Sequence, residues 1–158
     1  MRIDSSQHPW MTAPETAAVM AALGEARFVG GAVRNALLGV NVSDIDIAVP
    51  MPPSEVIARL VAKDIKVVET GMDHGTVTAI VGTQAFEITS LRRDVATDGR
   101  HAVIAFTDDW SEDAARRDFT INAMYASASG EIFDFATGVE DLIAGKVRFM
   151  GEPGAWPD

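Results

Sequence analysis

Asp44 and Asp46 stand two residues apart in "SDIDIAV", a stretch that otherwise reads as core-forming. On a strand, alternation puts both carboxylates on one face while Ile45 and Ile47 point the other way. Two like charges held that close repel unless a proton or a cation intervenes. A divalent ion such as Mg²⁺ answers this, because it favours a few carboxylate oxygens together with substrate phosphates. Two solvated aspartates at a strand end would carry the same spacing, so the neighbouring residues must decide.

Just upstream, "FVGGAVRN" sets Gly30 and Gly31 between a short apolar strand and a helical pattern. Paired glycines let the backbone approach a ligand closely, and a helix start favours an anion. Arg34, one turn into the helix, adds a cation for a phosphate. Glycine turn, cation and acidic strand follow one another in the order that metal-assisted phosphoryl or nucleotidyl transfer needs. Two metal ions lying about 3.5–4 Å apart would call for a third carboxylate. Glu87 in "AFEITS" is the candidate, alternating with Phe86 and Ile88 on a strand that could lie beside the acidic one.

These side chains need elements to hold them. "APETAAVMAALGE" after Thr12 reads as a capped helix with Pro14 in its first turn, and "ARFVGG" as a strand. "AVRNALLG" has helical spacing with Gly39 as its stop, and "DIDIAV" is a strand by alternation. "PSEVIARLVAKD" is a second amphipathic helix, "IKVVET" and "GTVTAIVG" are strands, and the Gly82-Thr83 turn makes a hairpin with "TQAFEITSL". "RRDVATDGRHA" is polar and reads as a mobile loop. "VIAFT" is a further strand, and "SEDAARRDFTINAMYA" is helical at its start, with Ser111 as cap. "GEIFDF" is a short strand, "GVEDLIAG" a helical turn or two and "KVRFM" a last strand. The sum is an α+β protein, a mixed sheet with helices packed on it.

The 158 residues suit one domain with a real core, at 47% hydrophobic and 23% charged residues. No apolar run is long enough for a membrane span, and the start "MRIDSSQHPWM" lacks a signal-peptide core. With no cysteine, disulfides and thiolate metal sites are excluded, and a cytoplasmic location is expected. The net charge of −10 argues against gripping nucleic acid by charge alone. Cations cluster instead at Arg92-Arg93 and Arg116-Arg117, with Arg34 and Arg100 apart.

Taken together, "FVGGAVRNALLG", "SDIDIAV", "DHGTVTAIV", "FEITSLRRD", "DGRHAVIAFTDDWSEDAARRDFTINAMY" and "IFDFATGVEDLIAGKVRFMGEP" resemble the bacterial class II tRNA nucleotidyltransferase (CCA-adding enzyme) and poly(A) polymerase family. That family belongs to the polymerase β-like nucleotidyltransferases. The resemblance covers most of the chain from Phe28 to Pro153 and implies the head fold of that superfamily. It implies that Asp44 and Asp46 bind two Mg²⁺ ions and that Glu87 is the third acidic position. Gly30, Gly31 and Arg34 would hold the triphosphate, and Arg117, Asp118 and Asn122 would contact the incoming nucleotide. Asp98 and Arg100 would be the functional charges of a flexible loop. ATP, CTP and a tRNA 3′ end are the implied partners, with CMP and AMP transferred; no protein partner is implied.

Asn35 departs from the family's frequent aspartate after the glycine-motif arginine. It keeps hydrogen-bonding ability and loses charge. The family continues into neck, body and tail domains, with a base-selecting E-D-x-x-R motif that the 158 residues lack. The expectation is therefore a catalytic head over residues 1–158, its core about 26–150, that binds nucleotide weakly and transfers poorly alone. Poly(A) polymerase, which shares the head, remains open at this level, as does a head that binds nucleotide without catalysis.

Overall fold

The computed structural model describes residues 2–42, 44–71, 75–95, 103–117, 120–136 and 138–145. The elements that matter run α1 (Pro14–Leu23), β1 (Arg27–Val29), α2 (Gly31–Leu37), β2 (Ile45–Val49), α3 (Pro53–Val61), β3 (Lys66–Gly71), β4 (Thr76–Val81) and β5 (Gln84–Ser90). They continue as β6 (Arg92–Val95), β7 (Val103–Phe106), α4 (Trp110–Ala115), a 3-10 turn over Thr120–Asn122, β8 (Met124–Ala126), β9 (Ile132–Asp134) and α5 (Gly138–Ala144). Among the described residues, seven strands form one sheet in the order β3-β4-β5-β2-β1-β8-β9, and β6 and β7 pair separately. β2 and β5 are parallel neighbours, while the other pairs are antiparallel. This is the mixed α+β sheet the sequence predicts.

Alternation divides the sheet into two unlike faces. Phe28, Ile45, Ile47, Phe86, Ile88 and Val77 pack on Val19 and Leu23 of α1 and on Val56 and Leu60 of α3 in the larger core. The opposite face carries a smaller cluster of Val29, Ala48, Leu91, Trp110, Ala114, Ala123 and Tyr125. Burying large apolar side chains contributes about 1.5–3 kcal/mol apiece, so the larger core fixes the sheet and leaves the second face to chemistry.

Several local expectations are corrected. Arg92–Val95 is a strand paired with Val103–Phe106, not loop; cross-strand pairing overrides polar composition. Asp98 and Arg100 lie outside the described residues, as does "KVRFM". α4 is capped by Asp109, whose Oδ1 accepts from the Ser111 and Glu112 amides at 2.9 and 3.4 Å, so Ser111 is inside the helix and not its cap. The helix ends after Ala115, and Met124–Ala126 is a strand hydrogen-bonded to β1. Thr12 does not cap α1, which begins at Pro14 after Ala13.

The N-terminal segment is stitched to the β8–β9 turn by the Ile3 amide, which donates to the Gly130 carbonyl at 2.7 Å. Gly130 is at φ +92°, and a Cβ there would overlap the Ile3 carbonyl. Gly130→Ala is therefore expected to cost about 2–3 kcal/mol from backbone strain and overlap. A thermal melt should show the midpoint fall by roughly 5–10 °C; an unshifted melt would mean the turn relaxes freely.

Candidate nucleotide and metal site

β2 and β5 bring the acidic residues together. Their parallel register sets Asp46 directly beside Glu87, and the β4–β5 pairing sets Thr78 beside Glu87. Continuing the β1–β2 register places Val29 next to Asp46, followed by Tyr125 on β8 and Phe133 on β9. One row on one face thus reads Thr78, Glu87, Asp46, Val29, Tyr125, Phe133, with neighbouring strands about 4.8 Å apart. Asp44 sits one residue ahead of β2 and is exposed. It still joins Asp46, Glu87 and Thr78 in lining a cavity of 290 Å³.

The electrostatics of this cavity follow from its crowding. Burial, then the charge of Glu87 and a hydrogen bond with it, then Asp44, push the Asp46 carboxyl up to about 6, and Arg117 partly opposes them. The donor set fits a hard divalent cation, being all oxygen and short of positive charge. Among the described residues no three acidic or histidine side chains gather tightly enough to enclose an ion. What the arrangement offers is a carboxylate pair completed by substrate oxygens, which suits Mg²⁺.

The glycine turn lies at the β1–α2 junction. Gly30 is at φ +66°, which favours glycine, and no heavy atom lies within 4 Å of where its Cβ would be. A side chain would fill the space a phosphate could use. Arg34 donates to Asn122 Oδ1 and to Asn35 Oδ1, each at 3.4 Å. Asn35 thus supports the arginine by hydrogen bonding where an aspartate would pair with it by charge. Asn122 is held through its turn, because Thr120 Oγ1 donates to the buried Asp141 Oδ2 at 2.6 Å. α5 is set in turn by Asp134, which accepts from the Gly138 and Val139 amides at 3.2 and 3.0 Å.

Arg117 is largely buried and held on fixed partners. It is 17% exposed, and its Nη2 lies 3.1 Å from Asp113 Oδ2. Arg116 reaches the other oxygen, Oδ1, at 2.9 Å. The Tyr125 hydroxyl donates to Oδ2 at 2.6 Å, and the Arg92 amide donates to Oδ1 at 3.0 Å. Burial would push the Asp113 carboxyl up, but Arg117 and Arg116, with Tyr125 and the Arg92 amide, hold it below the usual range. Asp118 lies outside the described residues.

The structure thus brings together Asp44, Asp46 and Glu87, and separately Arg34 and Asn122, which the sequence reading places in different groups. Sequence reasoning missed Asp113, Tyr125 and Thr78. Asp113 had a legible signal, because it precedes the two arginines by three and four residues, the spacing of helical ion pairs. It also missed Arg27, whose guanidinium lies 4.2 Å from the Trp110 ring centre and 3.7 Å from that of Phe133. That stack, worth about 1 kcal/mol or more per contact when desolvated, pins α4 over β1 and β9.

Tyr125 is the chain's single tyrosine, so it reports on this hub directly. Burial raises its phenol pKa, Arg117 lowers it, and Asp113 raises it again, for a net shift well above the ordinary value. A raised folded pKa means stabilisation that is whole below about pH 10, where the unfolded phenol titrates, and lost as pH climbs toward the folded value. Absorbance at tyrosinate wavelengths should stay flat through pH 10–11 until the fold opens. A reversible transition near 10 in folded protein would contradict the buried hydrogen bond.

Comparison with known proteins concerns the chain as a whole. The family model described as "Poly A polymerase head domain" matches residues 26–148. The human protein "CCA tRNA nucleotidyltransferase 1, mitochondrial" is 48% identical over 128 residues, covering 80% of this chain and 30% of that protein. The crystal structure of the Bacillus stearothermophilus CCA-adding enzyme in complex with CTP superposes with a TM-score of 0.75 at 35% identity, covering 87% of this chain and 33% of that one. A tRNA nucleotidyltransferase complexed with a primer tRNA and an incoming ATP analogue gives a TM-score of 0.61 at 30% identity, covering 80% of this chain and 35% of that one. The chain thus spans about a third of the length of the relatives it matches.

Proposed function

Because the chain belongs to the poly(A) polymerase head-domain family, we propose that it carries the nucleotidyl-transfer site of a CCA-adding enzyme, taking CMP and AMP from CTP and ATP to the 3′ end of tRNA. The observation that carries this reading is the parallel β2–β5 register, which sets Asp46 beside Glu87 in the cavity that Asp44 also lines. The similarity to nucleotidyltransferases of tRNA supports the choice of reaction over poly(A) addition.

The chain's own residues divide the work. Asp44 and Asp46 hold Mg²⁺, with Glu87 as the third acid of the site. When bound there, the metal lowers the pKa of the attacking 3′-hydroxyl and offsets charge on the triphosphate. Gly30 leaves room for the phosphates, Arg34 and Arg117 neutralise them, and Asn122 hydrogen-bonds the nucleotide's ribose or base. Most of the rate enhancement then comes from positioning and charge neutralisation, with no protein general base required.

The test is labelled CTP and ATP supplied with Mg²⁺ and a tRNA lacking its last three nucleotides. Addition of C, C and A that then stops is the expected product. A homopolymer of A on unrelated RNA would replace the reading with poly(A) addition. Absence of any Mg²⁺-dependent nucleotide binding would remove the catalytic reading altogether.

A further inference from the structure

Asp113 is a buried carboxylate, 1% exposed, that the transfer chemistry does not itself use. Its two oxygens accept from six donor atoms on four residues. Oδ1 takes the Arg92 amide at 3.0 Å and Arg116 through Nε and Nη2 at 3.0 and 2.9 Å. Oδ2 takes Arg117 through Nε and Nη2 at 3.3 and 3.1 Å and the Tyr125 hydroxyl at 2.6 Å. Tyr125 Oη is also 3.3 Å from Arg117 Nε, closing a triangle of phenol, guanidinium and carboxylate.

This arrangement does two things to Arg117. It spends the Nε and Nη2 edge of the guanidinium on fixed partners, which sets the plane and direction of the group. Among the described residues the hydrogen bonds of the guanidinium use Nε and Nη2 and leave out Nη1. The arrangement also sets the charge: one carboxylate against two guanidiniums leaves a net positive charge beside Asp46. Arg116 leaves in another direction, lining an outer cavity of 260 Å³ with Arg93, Glu112 and Ala115.

We infer that Asp113 is a positioning residue for nucleotide binding, holding Arg117 aimed at the triphosphate through its carboxylate and the Tyr125 hydroxyl. The inference rests on the reading of Arg117 as a nucleotide contact. A rotating arginine loses side-chain entropy each time it engages a phosphate, whereas one already fixed does not. Among the described residues Arg117 is hydrogen-bonded to the seven-stranded sheet through Tyr125, whose strand β8 is two places from β2. Asp113 therefore ties the arginine's aim to the strand row that carries Asp46 and Glu87.

The experiment is a binding cycle on the 158-residue chain, with CTP and Mg²⁺ as the probe and calorimetric titration as the readout. Asp113→Asn keeps the side chain's size while losing the charge and half of its acceptors. It is expected to weaken CTP binding about tenfold, equivalent to about 1.4 kcal/mol. Arg117→Ala should weaken it by at least as much, and the double variant should bind no worse than Arg117→Ala alone. That non-additivity separates a group acting through Arg117 from a brace of the fold, whose effect would add to that of Arg117→Ala.

Wild-type affinity in a folded Asp113→Asn chain, or additive losses in the double variant, would overturn the inference. Unchanged affinity in Arg117→Ala would instead sink the reading of Arg117 on which it rests. If Asp113→Asn does not fold, Tyr125→Phe takes its place in the cycle, since it deletes only the bridging hydroxyl. A roughly threefold loss that vanishes in the Arg117→Ala background supports the inference, and equal affinity counts against it.

Discussion

Asp46→Ala is expected to lower nucleotidyl transfer at least about a thousandfold while leaving the chain folded, since on the proposed reading it removes a metal ligand and several kcal/mol of charge stabilisation. Asp44→Ala should act in the same direction. The informative partner experiment is Asp46→Asn in metal-free buffer. Asp46 stands beside Glu87 and near Asp44, and burial and both neighbours raise its pKa to about 6. At neutral pH its charge is therefore a cost to the fold.

Neutralising it should raise the melting midpoint by about 2–4 °C, taking roughly 1 kcal/mol as a value discounted for solvent screening. The sign follows from linkage: a carboxyl with a raised folded pKa binds its proton better when folded, so its contribution is whole below about pH 4 and lost as pH rises through 6. Added Mg²⁺ should raise the wild-type midpoint by mass action and leave the Asp46→Asn midpoint nearly unmoved. An Asp46→Asn chain less stable than wild type without metal would show that the carboxylate braces the fold, and the assignment to metal would fall.

Asp113→Ala carries the largest expected loss of stability. Breaking a buried ion pair by removing one partner costs about 3–5 kcal/mol, because the remaining charge stays buried without compensation. Here two guanidiniums and a phenol lose the same acceptor. The midpoint should fall by about 10 °C or more. A double change to Asp113→Ala with Arg116→Ala should recover part of the loss, because it removes one of the stranded charges. In acid, the lowered Asp113 pKa gives stabilisation present above about pH 4 and lost as pH falls through the lower folded value. The stability of Asp113→Asn should accordingly depend less on pH below 4 than that of wild type. A melt within a degree or two of wild type would show that water reaches both arginines.

The parts of the site that could be read in the sequence are those set by local geometry. Period-2 alternation puts Asp44 and Asp46 opposite Ile45 and Ile47, and the structure buries both isoleucines. The same logic turned Glu87 away from Phe86 and Ile88, which are fully buried. The Gly30-Gly31 turn was legible because a positive φ selects for glycine. Local pattern failed where a distant partner decided the outcome. "RRDV" looked like loop, yet β7 supplies its hydrogen bonds. "NAMYA" received no strand assignment from its own pattern, yet β1 and β9 claim Met124–Ala126 as a strand.

The sequence by itself determined which residues could do chemistry: a carboxylate pair on one strand face, a third acid on another strand, and a glycine turn followed by Arg34. Side-chain type and periodicity are properties of a few consecutive residues, so no knowledge of neighbours was needed. Only the tertiary structure decided that β5 lies parallel to β2, which makes Glu87, an exposed strand residue, the neighbour of Asp46. Only it decided that Arg117 is held by Asp113 and Tyr125. Strand order is set by which apolar faces pack together across the whole chain, and a buried carboxylate is tolerable only where donors from several elements converge on it.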